Sequence, residues 1–183
     1  MGSEHTMNTQ RYTLPAILLH WGQAVIVLWL LWLGWTMTDL PKGAERSAAY
    51  SLHKSLGLLM LVLVALRLLW RARNPAPAPV VSGWEGKVAT GTHHLLYVFL
   101  VMAPLAGYLA SSFTPYAIKF FGVEIPKAGW PDEGLNAAFK LLHVTFVWGG
   151  AGLIVLHVAG ALKHVFKRDG AIARMLPGGL FQK

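Results

Sequence analysis

Eight histidines punctuate a chain of 183 residues in which only 13% of residues are charged. Their spacing is the first chemical signal. His143 and His157 stand 14 residues apart in one long apolar run. In a helix that spacing is about 21 Å of rise and four turns less about 40°. The two imidazoles therefore share a face at two depths. They are too far apart to bind one metal ion, but each is placed to bind its own. His20 and His53 sit in two other apolar runs, and His93 and His94 in a third. His164 lies at the exit of the fourth run, and His5 lies in the N-terminal tail without an evident role.

Two neutral imidazoles contributed by two helices at each of two depths suit haem iron, which takes two axial ligands while the porphyrin supplies the other four. Zinc fits less well, since it takes four protein ligands or three plus water. The chain has no cysteine, which excludes disulfides, iron–sulfur clusters, thiolate-bound metals and C-x-x-C-H haem attachment. The apolar runs carry no carboxylate, which argues against di-iron or calcium sites and against proton relays built on Asp or Glu. A histidine in such a run also has a simpler reading, as a hydrogen-bonding residue between helices.

The elements that must position these groups are membrane spans. Apolar residues make up 55% of the chain and the mean hydropathy is +0.48. A soluble domain carries about 25% charged residues, nearly twice the share here. A helix crossing the hydrocarbon core needs about 20 apolar residues, and four segments qualify, at about 14–37, 50–71, 92–111 and 138–165. Thr13 followed by Pro15 marks a helix start, and Pro104 predicts a kink in the third span. The stretch 74–83 is Pro-rich and predicts an extended connection. Residues 112–136 form a long mixed connection whose aromatic part, 116–123, suits the membrane interface. The expectation is an all-α, integral membrane four-helix up-and-down bundle, forming a single domain over 1–183. In the fourth span, Gly149, Gly150 and Gly152 leave room for a neighbouring helix or a large flat group.

The net charge of +8 follows mostly from topology. With both termini cytoplasmic, the inner segments hold ten Lys and Arg residues and the outer ones six, as the positive-inside rule requires. No nucleic-acid partner is needed to account for the basic balance. The outer segments carry five acids, so their net charge is +1. No cleavable signal peptide is expected. Residues 1–6 match a myristoylation pattern only formally, and Met7 is the expected native start. In this orientation the outer side offers only His53 and His143, which must pair. The inner side offers His20, His93, His94, His157 and His164. His157 shares the face of His143, and depth leaves both His20 and His93 open as its partner. Arg67 is placed either as an ordinary positive-inside residue or as a partner for a haem propionate, since guanidinium matches carboxylate.

The residues also carry a resemblance. Arg11, Tyr12, His20 and Trp21 form R-Y-x(7)-H-W, and Leu52 to Gly57 read L-H-K-S-L-G. Arg67 to Pro75 read R-L-L-W-R-x-R-N-P, His93 and Tyr97 form H-x(3)-Y, and Leu162 to Asp169 read L-K-H-x-F-x-x-D. Together with His143 and His157, these resemble the bacterial cytochrome b561 family, related to cytochrome b subunits of hydrogenases and formate dehydrogenases. The resemblance covers residues 11 to about 177. It implies a multi-pass protein of the bacterial inner membrane with two haem b groups. His20 would pair with His157 on the cytoplasmic side and His53 with His143 on the periplasmic side.

The resemblance further implies electron exchange between the periplasmic side and membrane quinone, with ubiquinone as substrate. One branch of the family is described as a superoxide oxidase, so superoxide is a candidate for the small periplasmic donor. The outer lysines (Lys42, Lys54, Lys119, Lys127 and Lys140) suit the steering of such an anion. His93 and His164 are candidates for the quinone pocket or its protons. This reading leans towards a membrane oxidoreductase. The alternative is a cytochrome b anchor that conducts electrons for a peripheral dehydrogenase or hydrogenase subunit.

Overall fold

The protein is described by a computed structural model covering residues 11–78 and 81–176. His5, the 1–6 pattern and Lys183 lie outside the described residues. Four helices dominate: α1 (Leu14–Thr36), α2 (Ala44–Arg73), α3 (Gly83–Ser112) and α4 (Glu133–Lys167). All four are long and apolar enough to cross a membrane, and they form an all-α membrane four-helix bundle. Large apolar side chains such as Trp29, Trp32, Leu69 and Val155 face outwards, as lipid contact demands, and only a thin set including Met60, Val64, Phe99 and Ala103 is buried.

The last three spans sit inside longer helices, while α1 matches its span to within one residue. α2 starts at Ala44 rather than near 50, α3 at Gly83 rather than 92, and α4 at Glu133 rather than 138. Hydropathy marks only the part in hydrocarbon, while polar turns continue the helices into water. Local chemistry fixes the ends. Thr13 is the N-cap residue of α1, with Pro15 in the first turn where its missing N–H costs nothing. The Thr13 hydroxyl makes no cap bond and instead accepts from Trp70 Nε1 at 2.8 Å, tying the start of α1 to the end of α2. Asp132 caps α4 by accepting from the Leu135 N–H at 2.8 Å. Pro104 lies inside α3, which continues through it to Ser112.

α1 packs along α2, α2 along α3, and α3 most extensively along α4. Neither α1 nor α2 packs extensively against α4, which leaves a slot between them. At the end of the bundle where α1 leads into α2 and α3 into α4, residues 112–132 hold a feature that hydropathy did not suggest: a hairpin of β1 (Ile118–Phe120) and β2 (Val123–Ile125), with Lys119 opposite Glu124. Its turn places Phe121 and Gly122 at φ of 47° and 94°. Tight hairpin turns of this kind want positive φ, which glycine adopts freely and phenylalanine does not. The hairpin is docked by Ser55, fully buried on α2, whose hydroxyl accepts from the Phe121 N–H at 3.0 Å and lies 3.2 Å from the Lys119 carbonyl.

The other end carries the first and last described residues. Beyond α4 the chain folds back through a 3₁₀ turn, Ile172–Met175. Arg11 Nη2 donates to the Ala173 carbonyl, Trp21 Nε1 to that of Met175, and Arg174 Nη1 to that of Ala78. Lys163 pairs with Glu85 across α4 and α3 at 2.9 Å.

Candidate functional site

The fold brings the histidines of different helices into two pairs. At the hairpin end, His53 on α2 faces His143 on α4 with ring centroids 6.1 Å apart. At the terminal end, His20 on α1 faces His157 on α4 at the same 6.1 Å. The slot beside α4 makes both approaches possible. A metal–imidazole bond is about 2 Å and the ring centroid lies about 1 Å behind its nitrogen. Two rings facing one metal ion across a line are therefore about 6 Å apart, as both pairs are. His93 on α3 also approaches His157, at 5.3 Å, closer than this arrangement requires. Among the described residues no group of three or more His, Asp or Glu side chains gathers as a metal cage.

Each ring has its own setting. His143 Nδ1 lies 2.7 Å from the Ala103 carbonyl, which can only accept, so Nδ1 carries the proton and Nε2 keeps a free lone pair. Gly107 makes room for this contact, since a Cβ there would stand 3.0 Å from His143 Nδ1. Gly34 does the same for His53, whose Cε1 would lie 3.1 Å from an added Cβ. His53 Nδ1 is buried with no hydrogen-bond partner among the described residues. His20 differs: Arg67 Nη2 lies 3.2 Å from its Nδ1, and a guanidinium only donates. That Nδ1 therefore accepts, and ligation through Nε2 would require the ring proton to move to Nδ1 and Arg67 to turn away.

Arg67 itself has no carboxylate partner among the described residues. It donates to Gln23 Oε1 at 2.9 Å and lies over the Tyr97 ring at 5.3 Å, with Arg71 on the same ring at 6.0 Å. Gln23 is fully buried, and among the described residues neither its Nε2 nor the Tyr97 hydroxyl has a hydrogen-bond partner. Buried donors left unmade cost about 1–3 kcal/mol each, which marks this cluster as built for something besides the protein. Reasoning from sequence missed Gln23, although the lone amide in the first span is the signal that could have found it.

His164 lies two turns beyond His157, and its Nδ1 meets Asp169 Oδ2 at 2.5 Å. Burial pushes the Asp169 carboxyl up, but the bonds from His164 and the Ala171 N–H, with the nearby Lys167 charge, outweigh it and hold the carboxyl below its usual value. His93 and His94 are exposed on α3, and no hydrogen bond to His94 is present among the described residues.

The hairpin-end pair opens into a cavity of about 1590 Å³. Lys42, Arg46, Lys54, Lys119 and Lys140 line it, with Asp39 as its acid. The near-neutral charge of the outer segments thus conceals a separation: Glu45, Glu124, Asp132 and Glu133 lie off the cavity, and so does Lys127. The cavity reaches inward to Phe99 and Ala151, midway along α4.

The bis-imidazole pairs, a cavity large enough for a flat macrocycle, the glycines beneath the rings, and a guanidinium lacking a protein anion all suit haem b. Comparison with known proteins agrees. A family profile described as prokaryotic cytochrome b561 matches residues 11–178. The chain is 34% identical over 176 residues to cytochrome b561 homolog 2 of Escherichia coli (strain K12), covering 93% of this chain and 94% of that protein. Cytochrome b561 homolog 1 of the same organism is 28% identical, covering 91% and 97%. A probable superoxide oxidase, CybB, of Yersinia pestis is 26% identical, covering 92% and 97%.

Proposed function

The chain belongs to the prokaryotic cytochrome b561 family, membrane electron-transfer proteins that bind haem b, and on that premise we propose that it is a single-domain, transmembrane di-haem b oxidoreductase linking a periplasmic donor to membrane ubiquinone. The observation that carries this reading is the pair of matched 6.1 Å imidazole contacts stacked on one face of α4. The protein sits in the bacterial inner membrane with both termini cytoplasmic. The hairpin end faces the periplasm.

His53 and His143 hold one haem iron, and His20 and His157 the other, all as neutral imidazoles. When bound, each haem supplies a one-electron carrier. The Ala103 carbonyl, by accepting from Nδ1, fixes the His143 tautomer and makes the ring a stronger electron donor. A haem propionate there would satisfy the Arg67 guanidinium, and His20, freed of Arg67, would carry its proton on Nδ1.

At the periplasmic mouth, five basic side chains against one acid raise the local concentration of a small anion. Superoxide is the donor this favours: two superoxide anions give up two electrons and leave as two molecules of dioxygen. At the cytoplasmic end one ubiquinone takes those two electrons and two protons to become quinol. His93 and His164 serve the quinone's pocket or its protons. The test is superoxide-dependent quinone reduction by the purified holoprotein. Turnover without a second subunit supports the reading. Absence of turnover, with a periplasmic protein co-purifying stoichiometrically, would replace it with an electron-conducting anchor.

A further inference from the structure

Three helices repeat one interval. His20 and Gly34 on α1, His93 and Gly107 on α3, and His143 and His157 on α4 are each 14 residues apart. Gly34 stands against the His53 ring and Gly107 against the His143 ring, while His20 and His93 both approach His157. The bundle therefore has two site layers and a middle layer seven residues from each. Val27, Leu100 and Gly150 mark that middle, with Met60 seven residues inward from His53. The rise between the site layers is about 21 Å, which two macrocycles centred on the histidine pairs do not span. Protein must fill the middle.

The Phe99 ring is what lies there. Seven residues are two helical turns less about 20°, so a Cβ at Gly150 would point along the face of α4 that carries both imidazoles. The Phe99 ring occupies that position. It is 5% exposed and lines the innermost part of the large cavity, with Met60 and Ala151. Its size sets it apart on its own helix. The buried stripe of α3 continues with Thr92 on one side and with Ala103, Ala106 and Ala110 on the other. Small side chains flank the site layers, where a macrocycle needs room, and the one large ring falls between them.

Building on the proposed function, we infer that the Phe99 ring is the spacer through which an electron passes between the two haems. The transfer takes one electron from ferrous iron at the His53–His143 pair, leaving it ferric, and gives it to ferric iron at the His20–His157 pair, making that ferrous. No bond forms or breaks, no proton moves, and the ring is neither oxidised nor reduced. It contributes packed atoms. A void in its place would hold no atoms for the electron to couple through, and with apolar walls it would stay dry.

The test pulses oxidised holoprotein with fewer electrons than haems, from a water-soluble photoreductant. Visible absorbance and freeze-quenched electron paramagnetic resonance then follow how the electrons settle between the two haems. Phe99→Ala should keep both haems at their wild-type potentials and slow this relaxation severalfold. An apolar hole of this kind takes up benzene, so added benzene should restore most of the rate in the variant and leave the wild type unchanged. Phe99→Leu, with fewer atoms in the gap, should fall between the two. A packing role alone would lower the melting temperature without a rate that benzene restores. Wild-type relaxation in Phe99→Ala with both haems bound, or slowing that comes with displaced potentials and that benzene leaves unchanged, would overturn the inference. If Phe99→Ala does not assemble with both haems, Phe99→Leu decides: slower relaxation at unchanged potentials supports the spacer, and equal speed overturns it. If the wild type carries fewer than two haems or shows no exchange between them, the fault lies with the proposed function instead.

Discussion

The Phe99 ring lies directly over Gly150, where a Cβ on α4 would collide with the ring carbons. Gly150 is the midpoint between His143 and His157, so this close α3–α4 contact falls at the level between the two proposed haem sites. Of the two uses the glycine run offered, a neighbouring helix or a flat group, position 150 serves the helix. Gly150→Ala should destabilise the bundle by about 1–3 kcal/mol through overpacking. Thermal unfolding in detergent would show the loss, and adding Phe99→Leu should recover part of it. An unchanged melting temperature for the single variant would contradict this packing.

Gly107 is the reason His143 reaches the Ala103 carbonyl. Gly107→Ala should push the ring away and weaken that bond while leaving Nε2 able to ligate. A less electron-rich imidazole stabilises ferric haem less, so the reduction potential of the haem proposed at the His53–His143 pair should rise. A redox titration monitored by visible absorbance would show one step moving upwards and the other staying put. Movement of both steps together would point to general loosening.

Charge at the cavity mouth should act on encounter rather than on the haems. Lys42→Glu with Lys140→Glu reverses two of the five basic groups lining the cavity. Reduction of the haems by superoxide should slow about tenfold at low ionic strength. The difference from wild type should shrink towards nothing near 1 M salt, where screening acts over about 3 Å. A salt-independent difference would rule out steering.

Asp169 links the returning C-terminal segment to α4 through His164. Because its folded-state pKa is depressed, its contribution to holding the segment is fully present above the ordinary carboxylate pKa and is lost as pH falls through the lower folded value. Hydrogen exchange of residues 169–175 should therefore be pH-insensitive in protection down to about pH 4 and lose protection below it. Asp169→Asn should remove that acid-dependent component.

Much of this was legible in the sequence because the physics is one-dimensional. Twenty apolar residues make a span, and a 14-residue interval puts two histidines on one helix face. The helix ends beyond the spans were not legible, since the polar turns from Ala44, Gly83 and Glu133 carry no hydropathy signal. The hairpin at Ile118–Ile125 was read as an interfacial stretch because its register depends on a distant hydroxyl, Ser55. Net charge hid the basic cavity, because position in space separates Lys42, Lys54 and Lys140 from Glu45, Glu124 and Asp132. Gln23 acquires meaning only from Arg67, 44 positions away, which takes one end of its amide and leaves the other free.

The central claim is two haems held by two histidine pairs. Haem content per chain, measured as the pyridine haemochromogen on purified holoprotein and on the His143→Ala variant, tests it most directly. The account predicts two b haems per wild-type chain and one in the variant, with the remaining spectrum that of the His20–His157 site. One haem or none in the wild type, or two retained after loss of His143, would contradict it.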